Sequence, residues 1–274
     1  MRATERQRRS GPPRPAWPGN ADDPAAPFVQ LRAVVVAFGG LRALGGIDLD
    51  VARGERVAIL GPNGAGKTTL FNVIAGDLHP TGGSVVINDV DCTLAPSRLR
   101  PGLGVARTYQ KSRLFAGLTV EDNLQLAWIG KVGEHRSIRR RALRGAGRDA
   151  AVAAAGAVWL GDQLGTLVGD LSHGQQRQLE VGMAVVTDPE LMLLDEPASG
   201  LSRGERERLT ELLAALATDT TLLLIEHDMD VALRVAERVV VMADGLVIAT
   251  GSPADIRSDP LVNEVYLGIA GSHA

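Results

Sequence analysis

Gly61-Pro62-Asn63-Gly64-Ala65-Gly66-Lys67-Thr68 decides how the rest of the chain is read. The apolar run Val57-Ala58-Ile59-Leu60 before it predicts a buried strand, and a helix is predicted from Lys67 to Ala75. The spacing is G-x-x-x-x-G-K-[ST], and a strand before with a helix after is the context that this motif requires. Its glycines let the backbone curl until several N–H groups point inward at phosphate oxygens. The helix start adds its partial positive charge. Lys67 can reach the β- and γ-phosphates of a nucleotide, and the Thr68 hydroxyl can ligate Mg2+. Lys67 is one of three lysines among 29 basic residues, so composition does not account for its position. The stretch predicts phosphate binding and leaves open which phosphate chemistry follows.

Outward from this loop the pattern alternates. Residues 34–36, 47–51 and 85–87 read as strands, and from about 118 to 186 the signal turns helical. Thr119 and Asp122 fit a capping box ahead of Leu124, Ala127 and Trp128. Beyond Pro189 the chain alternates again. A strand over 191–194 is followed by a helix capped by Ser202 and Glu205, whose Leu209, Leu212, Leu213 and Leu216 form one apolar face. Thr221–Ile225 is a strand, 230–236 a helix and 239–242 a strand, with 246–249 returning across an Asp244-Gly245 turn. Strand and helix alternating at both ends, with a helical block between, predicts an α/β core carrying a helical insertion.

Leu191-Met192-Leu193-Leu194-Asp195-Glu196 supplies a second piece of chemistry. Four apolar residues bring two carboxylates to the C-terminal end of a buried strand, where open α/β sheets bind ligands. Asp195 would hold Mg2+ through a water, leaving Glu196 to orient or deprotonate an attacking water. Pro197 stops the strand and keeps both carboxylates at its lip.

The composition excludes several alternatives. With 45% hydrophobic and 22% charged residues and a net charge of −3, the chain lacks the basic footprint expected of a nucleic-acid partner. Cys92 is the single cysteine, which excludes an intrachain disulfide and a cysteine-based zinc site. No apolar stretch approaches the roughly 20 residues of a membrane helix. The first residues are basic without an apolar segment, so no secretory signal is expected. Residues 1–27 are Arg- and Pro-rich and read as a disordered tail, with folded sequence from 28 to 270.

At Leu171-Ser172-His173-Gly174-Gln175 the sequence resembles the signature motif of ABC transporter ATPases, whose commonest form has glycine where this chain has His173. The order of phosphate loop, signature and acid-tipped strand is that family's. The resemblance implies a P-loop NTPase with a RecA-like α/β core, an antiparallel β subdomain and a helical signature subdomain over about 115–186. It implies ATP and Mg2+ as cofactors, with Phe38 stacking on adenine. Gly61, Pro62, Asn63, Gly64, Ala65, Gly66, Lys67, Thr68 and Thr69 would bind the phosphates. Gln110 matches the glutamine that contacts Mg2+, alongside Thr68 and Asp195, and links the site to the membrane subunit. Glu196 and His227 match the catalytic glutamate and the switch histidine. Ser199-Gly200-Leu201-Ser202 matches the loop that crosses to a partner cassette. In the family, the signature of one cassette completes the phosphate loop of another, so Ser172, His173, Gly174 and Gln175 would act in trans. At His173 two readings stand: a group that makes turnover pH-sensitive, or a tolerated variant pointing away from ATP.

Four further stretches resemble the ATP-binding subunits of branched-chain amino acid uptake systems. They are Phe38-Gly39-Gly40-Leu41-Arg42-Ala43-Leu44, Arg107-Thr108-Tyr109-Gln110 with Arg113-Leu114-Phe115, Ile225-Glu226-His227-Asp228-Met229, and Tyr266-Leu267-Gly268. Tyr109 departs from the usual Phe of that branch, and residues 199–202 depart from its Ala-Gly-Leu-Asn. Urea and short-amide importers and the lipopolysaccharide-export ATPase are related alternatives. The implied partners are a second ATP-binding subunit (homodimer or paralogous heterodimer), two membrane permeases and a periplasmic substrate-binding protein, with no nucleic acid. The implied location is peripheral, at the cytoplasmic face of the inner membrane. The arginines at 136, 139, 140, 141, 144 and 148 form either a solvated helix face or a surface toward the membrane subunit. Retention of both Glu196 and His227 speaks against a cassette that binds ATP without turnover.

Overall fold

In the computed structural model, residues 27–108, 114–132, 140–217 and 219–270 are described, with 132, 140–144 and 266–270 described by their backbone alone. Residues 1–26 of the expected 1–27 tail and the expected Mg2+ contact Gln110 lie outside the described residues. The chain enters through β1 (Val29–Phe38), β2 (Leu41–Val51) and β3 (Arg56–Leu60), then α1 (Lys67–Ala75), β4 (Gly82–Ile87), β5 (Val90–Asp91) and β6 (Val105–Arg107). Three helices follow, α2 (Val120–Val132), α3 (Arg140–Ala157) and α4 (His173–Val185). Next come β7 (Leu191–Asp195), α5 (Arg203–Ala215), β8 (Thr221–Ile225), α6 (Met229–Val235), β9 (Arg238–Ala243), β10 (Leu246–Gly251), α7 (Pro253–Ser258) and α8 (Pro260–Ala270).

β3, β7 and β8 are buried at every residue, as expected of parallel strands covered on both faces. They lie inside a six-stranded sheet of order β10-β9-β3-β8-β7-β6, parallel except for the β10 edge. The period of two sorts their side chains between layers. Leu191 and Leu193 join the core that contains Phe71 and Ile74 of α1, whereas Met192 and Leu194 join the core made with α2, α3, α4 and α5. Ala58 and Leu60 face a third group with Ala232, Ile256 and Val262. A second sheet, β2-β1-β4-β5, is wholly antiparallel and shares the α1 core.

The predicted α1 and β8 have the bounds found in the structure. β1 is longer than the predicted 34–36, because register shifts around Arg32 and Ala33 (φ 46°) interrupt its alternation. The block from 118 to 186 also contains a bridge between Thr119 and Leu167 and two short 3-10 turns. The Thr119–Asp122 capping box is present, with Asp122 N–H donating to Thr119 Oγ1 at 3.1 Å and Thr119 N–H to Asp122 Oδ2 at 3.2 Å. Among the described residues, no helix is long and apolar enough to cross a membrane. Of the arginine run, Arg136 and Arg139 lie outside the described residues, and exposed Arg148 lies 3.4 Å from partly exposed Glu121. Such an exposed pair contributes little to stability.

Candidate functional site

The turn from β3 into α1 is shaped by contacts that only glycine tolerates. Gly61, Gly64 and Gly66 have φ of 150°, 82° and 97°. A Cβ on Gly61 would stand 2.1 Å from the Met242 carbonyl oxygen at the end of β9, and one on Gly66 would stand 2.6 Å from that of Ala43 in β2. The loop is thereby clamped between the parallel sheet and the antiparallel one. Gly245 completes the clamp, its N–H donating to Ala65 O at 3.1 Å and its carbonyl accepting from Gly45 N–H at 2.8 Å.

α1 opens with no side chain closing its first turn, whereas α4, α5, α6 and α7 are closed by Ser172, Ser202, Asp228 and Ser252. An open helix start offers its N–H groups and positive end to an anion. Lys67 curls over this turn, Nζ donating to Gly61 O at 2.6 Å and Pro62 O at 2.9 Å. Burial lowers the Lys67 pKa, and the carboxylates of Glu196 and Asp195 oppose that shift. Asn63 and Thr68 are exposed and Thr69 is half-buried, so the loop mouth faces solvent. Phe38 is 53% exposed, at the tip of the hairpin whose second strand abuts the loop. An exposed aromatic ring at that place is available to a planar ligand.

The carboxylates emerge where β7 and β8 run in register, with Asp195 opposite Ile225. Asp195 is buried, which raises its pKa against the opposing pull of Arg107. Arg107 Nη2 donates to Asp195 Oδ2 at 3.2 Å and Nη1 to Asp77 Oδ2 at 2.9 Å. Glu196 has φ of 48°, the left-handed region that glycine favours, and its N–H donates to Ile225 O at 2.9 Å. Its Oε2 lies 3.9 Å from His227 Nδ1. Beneath them is Glu226, wholly buried, accepting from Ala198 N–H at 3.0 Å and His227 N–H at 3.3 Å. Burial raises the Glu226 pKa. Glu226 thus ties the turn after Glu196 to the loop bearing His227. The cluster combines a phosphate cradle, a buried lysine and a carboxylate suited to accept a proton from water.

Ser172 caps α4 in a reciprocal box, Gln175 N–H donating to Ser172 Oγ at 3.2 Å and Ser172 N–H to Gln175 Oε1 at 2.9 Å. Gly174 N–H donates to Glu205 Oε1 in α5 at 2.9 Å, and the His173 ring lies 3.3 Å from where a Gly200 Cβ would be. Among the described residues, the hydrogen bonds of 172–175 run within the signature segment and to α5 rather than to the phosphate loop. The structure therefore brings Lys67, Asp195, Glu196 and His227 together and leaves Ser172, His173, Gly174 and Gln175 outside that cluster. Arg107, Glu205 and Glu226 were not assigned site contacts from the sequence. Glu226 carried a readable signal, because it ends an apolar strand as Asp195 does.

The remaining titratable groups do not extend this chemistry. No group of three or more His, Cys, Asp or Glu side chains is placed to hold a metal among the described residues. A Mg2+ site needs no such group, since that ion is commonly held by one or two carboxylates together with substrate phosphates and water. Burial pushes the Cys92 thiol up to about 11, so it is inert rather than nucleophilic.

A glycine cradle opening into an uncapped helix, beside an interior strand that leads into two acids, defines a P-loop NTPase. The ABC transporter family profile matches residues 44–199, more than half of the chain, and the profile described as branched-chain amino acid ATP-binding cassette transporter matches 247–271. The chain belongs to the ABC transporter family, as an ATP-binding, ATP-hydrolysing cassette. It is 36% identical over 259 residues to the high-affinity branched-chain amino acid transport ATP-binding protein LivG of Escherichia coli K12, covering 89% of this chain and 99% of LivG. The ADP conformation of MJ1267, an ATP-binding cassette of an ABC transporter, matches with a TM-score of 0.77 at 29% identity, over 89% of this chain and 100% of that one. A dimeric post-hydrolysis state of the cassette MJ0796, bound to ADP and Pi, matches with a TM-score of 0.69 at 26% identity, over 82% and 98%.

Proposed function

We propose that this ATPase powers import of branched-chain or related amino acids through separate membrane permease subunits. The observation that carries the substrate class is the match of residues 247–271 to a branched-chain amino acid cassette profile, added to near end-to-end likeness to LivG. The cassette is assigned to 28–270, its helical subdomain to about 115–186, and residues 1–27 to a tail. Its partners are a second cassette, two permeases and a periplasmic binding protein, with this chain at the cytoplasmic face of the membrane.

Two cassettes work head to tail. The separation of the signature from the phosphate loop within one chain and the dimeric, product-bound relative support this reading. Phe38 stacks on adenine, and residues 61–69 with Lys67 hold the phosphate chain. Ser172, His173, Gly174 and Gln175 of the other cassette close on the γ-phosphate. Thr68, Gln110 and Asp195 would hold Mg2+, which would supply positive charge against the phosphate chain. Glu196 takes a proton from the water that attacks the γ-phosphorus, and the bond to the β-phosphate oxygen breaks to release ADP. His227 contacts the γ-phosphate and stays aligned with Glu196 through Glu226.

Uptake by proteoliposomes carrying the full assembly tests the substrate class. Leucine, isoleucine and valine should accumulate in an ATP-dependent way that Glu196→Gln abolishes. Accumulation of urea or acetamide instead, or outward movement of lipopolysaccharide, would replace this reading.

A further inference from the structure

Glu205 shares one carboxylate between two helix starts. Oε2 accepts from Ser202 Oγ at 2.7 Å and Ser202 N–H at 3.1 Å, closing the cap of its own α5. Oε1 accepts from Gly174 N–H at 2.9 Å, in the first turn of α4. These donors hold the Glu205 carboxyl below the usual carboxylate range, so it is an anion at neutral pH. It also fills the space over Gly174, where an added Cβ would lie 2.8 Å from Glu205 Cγ and 2.9 Å from Oε1. A carboxylate on a helix start makes the contacts a phosphate would make there.

In the head-to-tail reading above, on which this inference rests, the start of α4 receives the γ-phosphate of the partner's ATP. Two anions then claim the Gly174 N–H, and they repel one another at that distance. We propose that Glu205 is the residue that the partner's γ-phosphate displaces, and that it thereby sets the ATP concentration at which two cassettes close. The other oxygen of the same carboxylate holds Ser202, the last residue of the loop 199–202. Arrival of a γ-phosphate at Gly174 therefore loosens the start of α5 and is felt in the loop that crosses to the partner.

The chain contains its own control for separating the two roles. In α7, Asp255 closes the same kind of box on Ser252, its Oδ2 accepting from Oγ at 2.7 Å and from N–H at 3.0 Å. An aspartate therefore caps a helix here with one methylene fewer. Glu205→Asp should keep the α5 cap and withdraw from Gly174, whereas Glu205→Gln keeps the length and removes the charge.

The test places each change in a Glu196→Gln background and follows mass by light scattering as ATP is titrated. Both double variants should dimerise at an ATP concentration lower by about five-fold or more, since a charge-assisted contact no longer competes. Glu205→Asp should also retain the melting temperature of its parent within a few degrees. A Glu205→Asp midpoint equal to or above that of the parent would overturn the proposal and leave Glu205 as a helix cap. Absence of any ATP-dependent dimer in the Glu196→Gln parent would instead overturn the head-to-tail reading itself.

Discussion

Arg107 bridges Asp195 and Asp77, with Nη2 3.2 Å from the first carboxylate and Nη1 2.9 Å from the second. The salt bridge to Asp195 joins side chains only 8% and 4% exposed. Such a pair is costly to break one-sidedly, because the remaining charge stays buried. Burial already raises the Asp195 pKa, and Arg107 works against that rise. Replacing Arg107 by Met should therefore raise it further. ATPase activity at pH 7 should fall by roughly ten-fold or more. The acid limb of the pH–rate profile should move to higher pH, and an unmoved limb would refute the link.

Glu196 pays for its position with a left-handed backbone, φ 48°, at the end of a strand. Strain of this kind costs of order 1–3 kcal/mol and persists where function holds it. Glu196→Gly should remove it, leaving a protein that melts at the parent temperature or above while losing hydrolysis by about 100-fold or more. Calorimetry beside a phosphate-release assay checks both halves.

The clamp around the phosphate loop gives a steric expectation. Gly61→Ala would place a methyl group 2.1 Å from Met242 O, backbone that cannot swing aside. Overpacking of this sort costs about 1–3 kcal/mol. Here it should also displace the loop, so ATP affinity measured by calorimetric titration should fall together with the melting temperature. Gly64→Ala meets no atom within 4 Å and should cost less, through its φ of 82° alone.

Glu226 carries a pH dependence whose sign follows from its burial. Its pKa is raised in the fold, so the folded chain holds this proton more tightly than the unfolded chain, whose glutamates titrate near about 4.3. The stabilisation is present at low pH and is lost as pH rises through the raised value. Glu226→Gln removes this titration. Its melting temperature, compared with the parent at the same pH, should improve as pH rises through the raised Glu226 pKa, and parallel curves would contradict the assignment. Its kcat should fall more than its affinity for ATP, because Ala198 N–H and His227 N–H use different carboxylate oxygens and glutamine keeps only one acceptor.

Much of this site was legible in one dimension because its parts are local. The glycine spacing before Lys67 and the apolar run ending in Asp195 and Glu196 each describe a strand meeting a loop. The Ser202–Glu205 box describes a helix start. What could not be read depends on register and burial. β6 has only three residues, too short for periodicity, so nothing announced that Arg107 would reach Asp195. Glu226 matters because Asp195 and Ile225 are neighbours across a parallel pair, and Glu205 matters because α4 and α5 begin side by side. The α7 cap was different: Ser252-Pro253-Ala254-Asp255 is a capping signature with proline at the first helical position, readable in the sequence.

In the proposed dimer one chain holds half of each hydrolytic site, with Ser172, His173, Gly174 and Gln175 of a second chain supplying the rest. Light scattering on Glu196→Gln with millimolar ATP and Mg2+ tests it most directly. Glu196→Gln should show twice the monomer mass with ATP and monomer mass with ADP, since only the triphosphate reaches the partner's signature helix. A strictly monomeric protein under both nucleotides would contradict it.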